Sequence, residues 1–311
     1  MTQQDHKDQH WIPRSYTKAW ADKSLPKSLG SRIHIYDPIG NYAGWKYPPQ
    51  LFTQPEFYTI TTPTGQRDLR AEKFLSRIES DFARVRRSTL EKRQPLEARH
   101  LAAITIFVAA LRSRTPSSHS NISGFWKSVV ATGDRVAEQM AAASPDRREK
   151  IARALSSPLA SQGDRSITLD EARTIAGLVP GETMMAQVAV EAPLLAHLHV
   201  CVLSTDCDFG FITSDRPVVW WDPTQVGGRH RLFGVGLANR EIEITIPISP
   251  RQCLLFSHNH SAPEYATVDS KVRDAINLRT LAYCEEKWLS DFATLDVDWL
   301  PTLGVDVVLG R

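Results

Sequence analysis

The chain has 311 residues, 42% of them hydrophobic and 23% charged, with 37 basic against 35 acidic side chains and a net charge of +2. That length buries a core without staples, and the apolar share excludes a disordered polymer. So even a charge balance gives no global attraction to nucleic acid or to an anionic membrane. The four cysteines, Cys201, Cys207, Cys253 and Cys284, contain no CxxC pair, so free thiols in a reducing compartment are expected rather than a zinc knuckle. The opening ten residues are polar and lack the apolar run of a leader, and the longest apolar run, Leu101–Leu111, is too short for a bilayer. A soluble, cytoplasmic protein with no membrane partner is therefore expected.

In chain order, Trp11, Tyr16 and Trp20 suggest a short aromatic turn or helix, and Arg32–Tyr36 alternates with the period of a half-buried strand. Phe57–Thr61 is β-prone and closes on turn residues at Pro63–Gly65. Phe74, Ile78, Phe82 and Val85 recur every three or four residues and predict an amphipathic helix from Leu69 to about Lys92. Pro95 opens a second helix that Pro116 stops, Phe125–Ala143 reads as a third, and Pro145 starts a fourth. Residues 156–166 read as a loop, and Thr168 with Glu171 forms a capping box before a short helix. Residues 181–198 predict another helix that Pro193 bends or breaks.

From His199 the period becomes that of strands. Val200–Leu203 is expected to pair with Phe209–Ile212 across a turn at Asp206–Asp208. Val218–Trp221, Glu241–Ile248 and Cys253–Phe256 follow as strands, and Val268–Glu285 as a closing helix. Segregated helices and strands predict an α+β fold: a small N-terminal β region, a central helical bundle and a C-terminal antiparallel β-rich section. One composite domain, 1–311, is expected. The alternative places a boundary near Gly163, with 1–163 mainly helical and 164–311 β-rich.

No Walker loop, HExxH or GxSxG occurs, and the Gly234–Gly236 stretch reads as a turn or bulge. The candidates for chemistry are scattered. His10 stands three residues before Pro13, which stiffens the chain around an imidazole able to act as general acid or base; the alternative is a histidine bonded to backbone. Thr213-Ser214-Asp215 ends a β run, where Asp215 can orient His10 and Ser214 can be a nucleophile beside a base; the alternative is a self-satisfied turn. Glu72 and Glu79 lie two turns apart on one helix face without a basic partner at helical spacing. Arg112 and Arg114 either cap a helix C-terminus or grip a phosphate or carboxylate. Arg84, Arg86, Arg87, Lys92 and Arg93 form either a nucleic-acid stripe or a solvated face. His197 with His199, and His258 with His260, are spaced to share a strand face but lack a third metal ligand.

The ordered set resembles the domain-of-unknown-function 4238 family. His10-x-x-Pro13-x-x-Tyr16 with Trp20 is similar to its opening HxxPxxYLxxF, with Thr17 and Trp20 replacing Leu and Phe. Leu75–Glu79 resembles its glutamate helix, Arg112 to Pro116 its R-x-P helix end, and Thr213–Val218 its TSDxPV stretch; Pro247–Pro250 and Asn277 fit the downstream pattern. The family name implies no activity. Recurrence of the polar motifs as a set implies a composite pocket formed by His10, Glu79, Ser214 and Asp215.

Two functions fit. One is a hydrolase acting on a nucleic-acid or phosphate-containing substrate, as a bacterial toxin or defence effector would be. In it His10 is the general acid/base, Glu79 and Asp215 orient it or activate water, Ser214 is a further catalytic candidate, and Arg112 or Arg114 stabilises negative charge. Tyr16, Thr213 and Asn277 join the arginines as substrate-binding residues. The other is a non-catalytic binding module for a small anionic ligand or partner. The sequence assigns no metal site, and it leaves the cofactor and the oligomeric state open. The hydrolase expectation requires His10, Glu79 and Asp215 to meet around one hollow.

Overall fold

The structure, a computed structural model, describes residues 8–26, 28, 30–61, 64–155, 167–224 and 236–292. The chain divides into two compact units, Met1–Pro116 with Pro180–Arg311, and Ser117–Val179. Gly163, the alternative boundary, lies outside the described residues, as do Pro63, the 156–166 loop and most of the Gly234–Gly236 stretch.

The first unit opens with strand β1 (Asp8–His10), which Pro13 turns into the short helix α1 (Arg14–Thr17) and a 3₁₀ turn over Lys18–Trp20. Pro13 supplies the extended cap, φ −59° and ψ 139°, and its carbonyl accepts the amides of Tyr16 and Thr17. Next come β2 (Ile33–Tyr36), β3 (Tyr42–Lys46), β4 (Thr53–Pro55), β5 (Ile60–Thr61) and β6 (Arg67–Asp68). β1 pairs with β4, bringing His10 opposite Thr53. Helices α2 (Arg70–Val85) and α3 (Ala98–Ser113) follow. The α2 stripe buries Leu75, Ile78, Phe82 and Val85, and Phe82 stacks on Phe107 of α3 at 3.8 Å between ring centroids. Removing either ring would cost about 3–5 kcal/mol.

The second unit contains α4 (Pro116–Ala142, whose first residue belongs to the first unit), α5 (Pro145–Leu155) and α6 (Leu169–Ala176). The Thr168 hydroxyl caps α6 by accepting the Glu171 amide at 3.2 Å, while Glu171 accepts the Thr168 amide at 2.7 Å. Pro116 does not simply stop the preceding helix. It is the first residue of α4, where its missing N–H is an orphan in any case, so α4 starts well before the expected Phe125.

The chain returns to the first unit with α7 (Pro180–Leu195), which packs on α3, and then β7 (His199–Ser204), β8 (Thr213–Ser214), β9 (Val219–Trp221), β10 (Glu243–Ser249), β11 (Gln252–Ser257), β12 (Tyr265–Thr267), α8 (Ser270–Tyr283) and β13 (Trp288–Ser290). Pro193 does not break α7; it falls in the last turn, and the helix runs on to Leu195. A five-stranded sheet has the order β12-β7-β11-β10-β9, antiparallel except where β12 runs parallel to β7. A four-stranded antiparallel sheet, β3-β2-β13-β8, unites strands from both ends of the described chain. The whole is an α+β fold. Among the described residues no helix is long and apolar enough to cross a membrane, and all four cysteines are free.

One expected hairpin is absent. β7 pairs with β11 and β12 and not with Phe209–Ile212. Other groups satisfy that segment's backbone instead. The Phe211 amide donates to the Pro250 carbonyl at 2.8 Å, the Trp20 indole N–H donates to the Phe211 carbonyl at 2.8 Å, and Asn277 bridges Gly210 and Ile212. Gly210 permits this approach, because a Cβ there would stand 2.1 Å from the Pro250 carbonyl oxygen.

Candidate functional site

A cleft of about 670 Å³ lies where β1, the first turn of α1, α2 and the end of α3 meet. His10, Arg14, Ser15, Pro49, Glu72, Glu79 and Arg114 line it. One strand pairing and one strand-to-helix turn set this geometry. Pairing with β4 fixes the His10 backbone, and the Trp11 amide extends the ladder to the Phe52 carbonyl at 2.9 Å. Pro13 then places Arg14 and Ser15 one rigid turn later on the rim of the same cleft.

His10 Nε2 lies 3.2 Å from the Pro49 carbonyl. A carbonyl only accepts, so Nε2 carries the proton and Nδ1 keeps its lone pair. Burial lowers the His10 pKa most, with Arg14 and Arg114 adding to the fall; the Pro49 carbonyl and Glu79 oppose it. At neutral pH the ring is therefore an uncharged base. Arg114, buried at 4% exposure, donates Nη1–H to Glu79 at 2.7 Å and Nη2–H to the His10 carbonyl. One guanidinium thus ties β1 to α2, while its Nε has no hydrogen-bond partner among the described residues. The Tyr58 hydroxyl donates to the Arg114 carbonyl at 2.6 Å, and burial pushes its own pKa up to about 12. Glu72, the second glutamate on that face, accepts from Gln9 at 2.6 Å and from Arg67 at 2.8 Å. Both carboxylates thus have basic or amide partners, supplied from elsewhere in the fold rather than at helical spacing.

A second hollow of about 380 Å³ shares Ser15, Ser76 and Glu79 with the cleft and adds Arg84 and Arg87. These two members of the basic run face open space, whereas Arg86 turns inward and donates to the Ile248 carbonyl at 3.4 Å.

The motif residues divide. His10, Glu79 and Arg114 come together on the cleft; Tyr16, Arg112, Thr213, Ser214, Asp215 and Asn277 are not among its lining residues. Tyr16 is 1% exposed, and its hydroxyl bonds Thr213 Oγ1 at 2.8 Å and the Pro247 carbonyl at 2.5 Å. Ser214 Oγ accepts the Arg216 amide at 3.1 Å within its own turn. Asp215 accepts the amides of Glu285 and Glu286 at 3.2 and 2.7 Å, which anchors the link between α8 and β13. Burial pushes the Asp215 pKa up to about 6 against the pull of those bonds. Asn277 is fully buried, accepting from the Ile212 amide and donating to the Gly210 carbonyl, each at 3.0 Å. Arg112 pairs with Glu191 and lies 4.0 Å above the Trp220 ring. The expected trio of His10, Glu79 and Asp215 is therefore reduced to a pair, with Arg114 as the third member.

Sequence reasoning missed Gln9, Arg14, Ser15 and Tyr58. Arg14 and Ser15 sit inside the His10–Tyr16 motif, so a rigid turn between a histidine and a buried tyrosine was the available signal. Among the described residues no group of three His, Cys, Asp or Glu side chains could hold a metal ion. The rings of His199 and His260 lie 6.1 Å apart, and His258 faces the Leu237 carbonyl.

The family model described as "protein of unknown function (DUF4238)" matches residues 8–290. The chain belongs to this family. No curated protein and no solved structure matches it. In this DUF4238 chain the matched span begins at Asp8, on the strand that carries His10, and ends at Ser290 in β13, so it contains both the cleft and the buried Thr213–Asp215 network.

Proposed function

We propose that the chain is a hydrolase of phosphate esters, with His10 as general base on a nucleic-acid or other phosphate-containing substrate. The observation that carries this reading is a neutral imidazole with a free Nδ1 lone pair beside Arg14, which is exposed and has no ion-pair partner among the described residues. An attacking water gives its proton to Nδ1 as its oxygen bonds to phosphorus. The bond from phosphorus to the leaving oxygen breaks, and the imidazolium returns the proton to that oxygen. Arg14 supplies positive charge to the phosphoryl oxygens, and the Arg114–Glu79 pair holds the strand so that His10 keeps its place. Incubation of purified protein with RNA, DNA and nucleotides should show turnover that His10→Ala abolishes. Absence of turnover on every pool sinks the proposal.

The mutual pairing of Glu79 and Arg114 favours a second reading, a binding module for a small anionic ligand, because neither group is then left to take part in chemistry. A rise in melting temperature with inorganic phosphate or nucleotides, without turnover, would select it.

A further inference from the structure

A third hollow, of about 440 Å³, adjoins the cleft and has a different character. It shares Arg14, Ser15 and Pro49 with the cleft, and Lys18, Ser31, Tyr47 and Pro48 complete its walls. We infer that this hollow is a nucleobase subsite, so that the substrate is a single-stranded polynucleotide crossing from the Tyr47 hollow into the His10 cleft. The inference rests on the phosphate-ester reading for its chemistry and on the hollow itself for its occupant.

The walls combine the two surfaces a nucleotide needs. Half-buried Tyr47 and exposed Pro49 offer apolar surface to a base, while Arg14 and Lys18, both exposed and four residues apart along one helical turn, offer charge to a phosphate. Among the described residues no acidic side chain lines the hollow. The tyrosine ring is held in place beforehand. Gly30, at φ +73°, lets the backbone pass so close that a Cβ there would meet the ring at 3.0 Å. Tyr47 also packs edge-on against Trp45 at 5.2 Å between centroids, and the Arg32 guanidinium lies 4.0 Å over the Trp45 ring. Trp45 is 41% exposed on β3, an edge strand of the four-stranded sheet. A fixed aromatic ring in a cationic hollow is the construction that binds unpaired bases without reading their sequence. A duplex keeps its bases paired and stacked and has none to offer. The resulting track puts the phosphate next to the bound base within reach of Arg14, which the two hollows share.

The test uses the full chain carrying His10→Ala, so that binding is read apart from turnover. Fluorescence anisotropy is measured with labelled single-stranded RNA and DNA oligomers about ten nucleotides long and with the corresponding duplexes. Tyr47→Ala should weaken single-strand binding on the order of tenfold, and Tyr47→Phe should restore it because the ring is what stacks. Lys18→Glu, on an exposed turn where folding is not at stake, should weaken binding and flatten its salt dependence. Equal binding of RNA and DNA single strands supports the subsite, since both present the same base faces. Duplexes bound as tightly as single strands, no binding of either single strand, or Tyr47→Ala binding like its parent would each overturn it. Those outcomes do not touch the hydrolase reading, which stands or falls on turnover by the unaltered chain.

Discussion

Two polar regions of the same unit carry the family's motif residues, and they are built in opposite ways. On the His10 cleft, the imidazole keeps a free nitrogen and Arg14 has no partner among the described residues, while both face open space. Around Thr213–Asp215 and Asn277, the corresponding hydroxyl, carboxylate and amide groups are buried and bonded to backbone or to one another. Buried polar groups that are fully satisfied fix a fold; exposed ones held rigid and left with capacity bind and react. The difference teaches that a recurring polar set can be half chemistry and half architecture, and that loss of a member should show which half it belongs to.

The largest contrast is expected between His10→Ala and Asn277→Leu. Removing the base should lower turnover on a phosphate-ester substrate about 10²–10⁴-fold, with little change in melting temperature because the ring is only half-buried. Asn277→Leu instead strands the Ile212 amide and the Gly210 carbonyl in the core. At about 1–3 kcal/mol for each of the two orphaned groups, denaturant unfolding should show a loss of about 2–6 kcal/mol of stability. A His10→Ala chain that unfolds, or an Asn277→Leu chain as stable as its parent, would erase the distinction between the regions.

The same comparison explains what was legible in the sequence. Local constraints read well. The Pro13 turn, the α2 stripe and the Thr168 capping box each follow from neighbours within four residues. The choice between Arg112 and Arg114 did not, because residues two apart at a helix end point to nearly opposite sides, about 160° apart, and sequence does not show which side α2 covers. Only the packing of α2 decides which of them meets Glu79, thirty-five residues away. The Thr213–Asp215 stretch read as a strand end open to a cleft because sequence does not show its cover. Tyr16 from near the N-terminus and the amides of Glu285 and Glu286 fill that space. The lost hairpin has the same origin: Asn277 and Trp20 satisfy a backbone that period alone assigns to a neighbouring strand.

Proton linkage sharpens the comparison further, since the two regions have opposite signs. Asp215 has a folded pKa raised to about 6, so the folded state holds a proton that the unfolded chain has already released. Its contribution is present at acid pH and is lost as pH rises from about 4 through 6, a change of up to about 3 kcal/mol. Asp215→Asn removes the ionisation, so its denaturation midpoint should not show this fall. His10 has a folded pKa below its ordinary value, so the neutral ring is favoured in the folded state. Its contribution is full above about pH 6.5 and fades as pH falls through the lowered value. Turnover should follow the same curve, rising with pH and levelling before neutrality, while the Asp215→Asn profile keeps that shape. A rate profile that tracked Asp215 instead would place the chemistry in the buried network.

The smallest effect is expected on the rim, where Arg87 lines the hollow that adjoins the cleft through Ser15 and Glu79. Arg87 is exposed and touches the solvent rather than the core, so Arg87→Ala should leave the denaturation curve within about 0.5 kcal/mol of the parent. Its charge acts on an anionic substrate through screened water, which limits the gain to a few-fold in KM at low salt. Raising the ionic strength to about 1 M shortens the screening length to about 3 Å and should make the variant and the parent indistinguishable. A rim arginine whose loss still mattered at that salt would be in direct contact with the substrate, and the track would then continue past the cleft along α2.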